Sequence, residues 1–157
     1  MDTPVGKPKP AFTPLDPSRV IGRGHPAGDF LEAYDWRVLD EDEGRIRIEA
    51  HLPPQVLNPR RHLFGGFTGT YVDLVVLTTV RSGPSRADLS IPRDWLMTTN
   101  MRLDYLAPIT GPTFTIDSQV EYRGGRSRLV STRFYQGDTL AVIAMTTVLQ
   151  VPDPATT

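Results

Sequence analysis

From Arg45 to Leu52 the chain alternates apolar and polar side chains. Ile46, Ile48, Ala50 and Leu52 take one side; Arg45, Arg47, Glu49 and His51 take the other. That period of two predicts a strand with one buried face, ended by Pro53-Pro54. The alternation returns in Thr113 to Tyr122, where Phe114, Ile116, Ser118, Val120 and Tyr122 share a face. Gly124-Gly125 then predicts a hairpin turn into a strand over Arg126 to Gln136, and Gly137-Asp138 a turn into Thr139 to Val151. This last segment is almost wholly apolar, the pattern of a central strand or one covered on both faces. Trp95 to Leu106 reads as a further strand, closed by Pro108 and Gly111.

Leu63 to Val80 follows neither pattern. It is apolar on all sides, interrupted only by Gly, Thr, Tyr71 and one carboxylate, Asp73. Its many β-branched residues disfavour helix by local propensity. Its unbroken length far exceeds an ordinary strand, so it is read as a helix buried all round. Phe30, Leu31 and Tyr34 predict a short helix within Asp29 to Val38, with Asp29 as N-cap. Asp40 to Gly44 reads as a charged turn, and Arg81 to Asp94, with Gly83, Pro84 and Pro92, as a loop. One long helix followed by a run of hairpin-connected strands defines an α+β domain, a curved antiparallel sheet wrapped around the helix. The expected organisation is a flexible Pro-rich tail over residues 1–25, a single domain over 26–152 and a short tail over 153–157.

The 157 residues suffice for one domain with a real core, and 39% hydrophobic with 22% charged residues is a globular composition. A net charge of −1 supplies no field for nucleic acid or an anionic membrane, so neither partner is expected. With no cysteine, disulfides, thiolate metal sites and cysteine nucleophiles are excluded, and a cytoplasmic location fits. The first residues, rich in proline and lacking an apolar run, do not form a signal peptide. Asp73, the glycines and the threonines argue against Leu63 to Val80 as a membrane span.

A lone carboxylate in an apolar segment costs free energy unless something pairs with it or uses it. Gly65-Gly66 opens the same helix, where free N–H groups and the positive dipole end can stabilise an oxyanion. Asp73 then suits a nucleophile or a general base on water, and Asn58 a group holding the water or a carbonyl. Plainer roles also fit: a lone Asp is commonly a cap or an ion-pair partner, and Gly-Gly a turn. Gly66 and Asp73 share a helix face but are about 10 Å apart at roughly 1.5 Å per residue. If both act on one substrate carbon, they must come from two chains. His25, His51 and His62 lack metal-ligand spacing, so no metal is expected. No Gly-x-Ser-x-Gly elbow or phosphate loop occurs.

Asn58-Pro59-Arg60-Arg61-His62-Leu63-Phe64-Gly65-Gly66, followed by Asp73, resembles the hotdog-fold acyl-CoA thioesterases of the phenylacetate-degradation group. That pattern is an Asn, a His-Gly-Gly with the His six residues on, and an acid seven after the second Gly. The resemblance spans about Asp29 to Val151 and includes Tyr105-Leu106-Ala107-Pro108 as the end of a strand. It implies a hotdog fold, an acyl-CoA substrate whose coenzyme A moiety is the only cofactor-like group, and sites shared between subunits of a homodimer or a dimer-of-dimers tetramer. It implies Asp73 as catalytic carboxylate, Gly66 as oxyanion donor and Asn58 as a placing group. Gly65, Phe64, His62, Arg126 and Arg128 are the implied substrate contacts. The arginines suit the phosphates of coenzyme A, although solvated turn positions suit them equally. Phe67, Tyr71, Trp95, Met97 and Met101 suit either an acyl pocket or the core. One departure stands out: the family His is Phe64 here, which cannot hydrogen-bond, and His62 lies two residues away. A hotdog that holds acyl-CoA without hydrolysing it is therefore the second reading.

Overall fold

A computed structural model describes residues 16–88 and 90–152. Six antiparallel strands form one sheet in the order β1-β2-β4-β5-β6-β3. They are β1 (Arg37–Asp42), β2 (Arg45–His51), β3 (Trp95–Tyr105), β4 (Thr113–Gly124), β5 (Ser127–Gln136) and β6 (Thr139–Val151). The long helix α2 (Gly65–Val80) contacts β2, β3, β4, β5 and β6, so the sheet curves around it. A short α1 (Pro26–Phe30) and two single 3₁₀ turns complete the described residues.

The helix persists despite its β-branched residues because the sheet buries it. Thr68, Tyr71, Val72, Leu74, Val75, Val76 and Thr79 are all in the interior. Local propensity differs by tenths of a kcal/mol per residue, whereas burial of a Val or Leu is worth about 1.5–3 kcal/mol. The buried threonines spend their hydroxyls well. Thr79 Oγ1 bonds the Val75 carbonyl at 2.7 Å and Ser118 at 2.8 Å, and Ser118 meets Thr132 at 3.0 Å. This chain of hydroxyls ties α2 to β4 and β5. Tyr71 stacks on Trp36 with ring centroids 5.0 Å apart and touches Phe114 and Phe134. Its hydroxyl donates to the His51 carbonyl at 2.9 Å. Burial, with help from the negative Glu32, pushes the Tyr71 phenol above its ordinary value, so it stays a neutral donor. Tyr71 is core.

Several sequence expectations shift. The charged run Asp40-Glu41-Asp42 is part of edge strand β1, and the turn is confined to Glu43-Gly44. The early helix is α1 with His25 as N-cap, its Nδ1 accepting from Gly28 N at 3.0 Å; Asp29 lies inside the helix. In β4 the register slips between Val120 and Tyr122, so Tyr122 leaves the buried face and is 62% exposed.

Residues 16–25 pack on the domain rather than forming part of a tail. Val20 is buried, and Arg19 bridges to Arg37. Residues 1–15 and 153–157, where the rest of the expected tails fall, lie outside the described residues. The clamp is Arg86, 5% exposed, which grips Glu41 through Nε at 2.6 Å and Nη2 at 2.9 Å. It also donates to the carbonyls of Arg19 at 3.0 Å and Pro17 at 2.7 Å. Arg86→Met strands Glu41 and two carbonyls together. A loss of about 3 kcal/mol is expected, read as a lowered urea midpoint with unchanged m-value.

Candidate functional site

The face of α2 toward β3 reads Gly65, Gly69, Asp73, a four-residue repeat that stacks them along one side. The small residues let the strand approach. The Tyr105 hydroxyl donates to the Gly65 carbonyl at 2.9 Å, and a Cβ on Gly69 would sit 3.6 Å from Met101 Sδ. At the third position Asp73 Oδ1 accepts from Thr98 Oγ1 at 2.5 Å. Asp73 is half-buried, and among the described residues no Lys, Arg or His pairs with it. The ion-pair alternative is thus absent among the described residues, and Asp73 sits inside the helix, so it is not a cap.

β3 is one end of the sheet, and among the described residues the far side of this strand has no partner. It is 11 residues long and carries Trp95, 59% exposed, and Met97, 46% exposed. Long exposed edges with large apolar side chains are strand-pairing surfaces. Asp73 therefore faces the edge at which a second chain could add.

The other half of the candidate site is at the start of α2. A cavity of about 380 Å³ is lined by Asn58, His62, Gly65, Thr68, Tyr105 and Pro108, among others. Asn58 N bonds the His62 carbonyl at 2.8 Å. Asn58 Oδ1 accepts from Arg60 N at 2.9 Å and His62 N at 3.0 Å. This side-chain turn holds Arg61 at φ 62°, in the left-handed region. The carbonyl oxygen of Asn58 is thus spent on the loop, and its Nδ2 is the atom available to a ligand. His62 lines the cavity with its side chain unbonded among the described residues.

Phe64 is the N-cap of α2 and supplies no cap hydrogen bond. Its ring is 52% exposed and packs edge-on to Phe67 at 5.8 Å. It also leans over the next glycine: a Cβ on Gly66 would meet Phe64 Cε1 at 2.7 Å. The exposed Gly66 therefore sits beside an aromatic ring where a polar cap is usual.

Arg126 and Arg128 lie away from the start of α2 of their own chain. Arg128 binds the carbonyls of Gly125 at 2.8 Å and Ser127 at 2.9 Å and Gln150 Oε1 at 3.0 Å. That pins the β4–β5 hairpin to β6, near the end of α2 opposite Gly65. Arg126, in the same turn, is exposed. Within one chain, then, the fold brings Asn58, His62, Phe64, Gly65 and Gly66 together, places Asp73 about 10 Å along the helix from Gly66, and sets Arg126 and Arg128 beyond it. Thr98, the partner of Asp73, carried no signal in the sequence because the contact spans 25 residues. Tyr105 had one, the Tyr-Leu-x-Pro strand ending. Thr98→Val removes that hydroxyl at nearly constant volume. If Asp73 serves a reaction, the mispositioned carboxylate is expected to lower turnover about tenfold, with the far-UV spectrum unchanged.

Searches against family models and against curated proteins return no match. Solved structures do match. A phenylacetic acid degradation-related protein from Ralstonia eutropha superposes at TM-score 0.67 with 21% identity, covering 82% of this chain and 92% of that one. A hypothetical thioesterase from Streptococcus pneumoniae, solved with coenzyme A, gives TM-score 0.63 and 14% identity over 76% of this chain and 88% of its own. The PaaI protein of the Escherichia coli phenylacetic acid degradation operon gives 0.63 and 15% over 82% and 86%. A six-stranded antiparallel sheet wrapped on one long helix, matched to these proteins over most of each chain, is the hotdog fold. Among the described residues no helix is long and apolar enough to cross a membrane.

Proposed function

We propose that the protein hydrolyses an acyl-CoA thioester at a site completed by two subunits. The observation that carries this reading is Asp73: a half-buried carboxylate with no cationic partner among the described residues, oriented by Thr98 on the helix face toward a free sheet edge. A carboxylate held by one hydroxyl and no cation among the described residues, beside a sheet edge, suits a group kept for chemistry.

In the proposed reaction the thioester carbonyl oxygen lies at the start of α2 of one protomer, held by the Gly66 N–H. Asp73 of the other protomer takes a proton from water as the water oxygen attacks the carbonyl carbon. The tetrahedral oxyanion is stabilised by the helix N-terminus. The C–O bond forms, the C–S bond breaks, and the proton held by Asp73 passes to the departing thiolate. Two chains are required by the same 10 Å separation, since hydrogen-bond reach is about 3 Å. The S. pneumoniae neighbour solved with coenzyme A supports this substrate class.

One observation favours the second reading, ligand binding without turnover. Phe64 replaces a hydrogen-bonding residue and its ring leans over Gly66. Release of free thiol across short, long and aromatic acyl-CoAs decides between them. The hydrolase reading expects turnover with at least one class. Tight binding of every class with no thiol released selects the binding protein.

A further inference from the structure

One helical turn beyond Asp73, along the same four-residue repeat of α2 and the stripe beside it, a second cavity of about 340 Å³ opens. Leu74 and Leu77 form its helix wall, Trp95 and Leu96 its strand wall, and Val20 and Ile21 its cover from the N-terminal segment. Its far end is cationic, with Arg81, Arg86 and Arg93. These three are not equivalent. Arg86 is neutralised by Glu41 at 2.6 Å. Arg93 spends Nη2 on the carbonyls of Ser85, Arg86 and Asp88 at 3.0, 2.6 and 2.9 Å. Arg81, half-buried at the C-cap of α2, pairs with no carboxylate among the described residues. Among the described residues its guanidinium makes one hydrogen bond, a long one from Nη2 to the Asp94 carbonyl at 3.4 Å.

A half-buried guanidinium beside a second arginine, with only the C-terminal end of α2 and no carboxylate to offset it among the described residues, has capacity for an anion. Both burial and the neighbouring Arg93 act against its charge. Arg81 also lines a more polar cavity with Glu43 and Asp94, where Asp94 Oδ2 is taken by Gln150 Nε2 at 2.7 Å. Arg81 lines both cavities, and the one walled by Leu74, Leu77, Trp95 and Leu96 is lined by no carboxylate.

We propose that this cavity takes an acyl chain carrying a carboxylate at its far end, with Arg81 as the residue that recognises that carboxylate. The inference rests on the reading of Asp73 as the group beside the thioester. Eight residues separate Asp73 from Arg81, about 12 Å of helix at roughly 1.5 Å per residue, so the ligand needs a chain of medium length between its two ends. A hydrocarbon matches the wall of Leu74, Leu77, Trp95 and Leu96. The amide-bearing arm of coenzyme A would leave its polar groups unpaired there, which is why the anion is assigned to the acyl end and not to a coenzyme A phosphate.

The test is calorimetric binding of three probes to the full-length protein: the monoamide of octanedioic acid, octanamide, and coenzyme A. The monoamide should bind about tenfold or more tightly than octanamide, the worth of a charge-assisted hydrogen bond. R81M should bring that ratio close to one, and R81K should retain part of it. Equal binding of the two amides by the unaltered protein overturns the proposal. So does a ratio that survives in R81M, or an R81M defect confined to coenzyme A, which would make Arg81 a phosphate ligand. If R81M does not fold, the unaltered protein and R81K still decide. A monoamide preference without thiol release from any acyl-CoA leaves the anion site standing and removes the hydrolase reading. Thiol release without that preference does the reverse.

Discussion

Replacing Asp73 with Asn is expected to lower thioester hydrolysis by roughly 10³-fold, within the range general-base groups supply. The change keeps the shape and the capacity to accept from Thr98 Oγ1 but removes the base. Because no ion pair is broken among the described residues, the fold should persist, with a thermal midpoint within a few degrees of the parent. A loss of turnover accompanied by unfolding would instead make Asp73 structural. Turnover within a factor of a few of the parent would remove it from the chemistry. The measurement is thiol release under saturating acyl-CoA, paired with a melting curve for each protein. Asn also separates charge from bulk, which Ala does not.

Asp73 could be found in the sequence for the same reason that it is testable. A single carboxylate in a long apolar run is anomalous in one dimension, before any fold is known. Strands β2, β5 and β6 were equally legible, because each is buried on a face set by its own alternation or run of apolar residues. Their observed bounds follow the pattern to within a residue. What escaped depends on partners remote in sequence. β1 reads as a charged turn because its stabilisation comes from β2 and from Arg86, 45 residues on from Glu41. Residues 16–25 read as tail because they follow a Pro-rich start and carry only Val20 and Ile21 as large apolar side chains, while the clamp that holds Pro17 and Arg19 sits in a distant loop. The face of Tyr122 was misplaced because a bulge resets the alternation without leaving a residue signature. At the candidate site, Asn58 is marked in the sequence by the family resemblance. That its Oδ1 is occupied by two backbone N–H groups is not. Arg81 drew no notice in the sequence, since an arginine after a helix is ordinary until its lack of a counter-ion is seen.

Mixing two inactive variants is expected to restore activity. Gly66→Pro removes the N–H at the second position of α2, where the helix itself does not need a donor. Loss of one oxyanion donor lowers turnover by about 10²–10³-fold. Asp73→Ala removes the carboxylate. If each site joins the helix start of one chain to Asp73 of the other, a heterodimer of the two variants holds one site with both groups intact and one lacking both. Random pairing makes half of the dimers heterodimers, so co-refolded variants should recover about one quarter of the parent activity. Either variant refolded alone should stay at its own residual level, at least 10²-fold below the parent. If Gly66 and Asp73 of the same chain serve one site, every site in the mixture carries a defect and activity stays at the level of the poorer parent. That outcome would contradict the 10 Å separation argument and, with it, the role of the β3 edge. A monomer by light scattering at micromolar concentration would do so as well. The result also bears on Phe64. Because its ring leans over Gly66, restored turnover in the mixture shows that the ring leaves the N–H reachable, and the departure from His at this position then belongs to substrate choice.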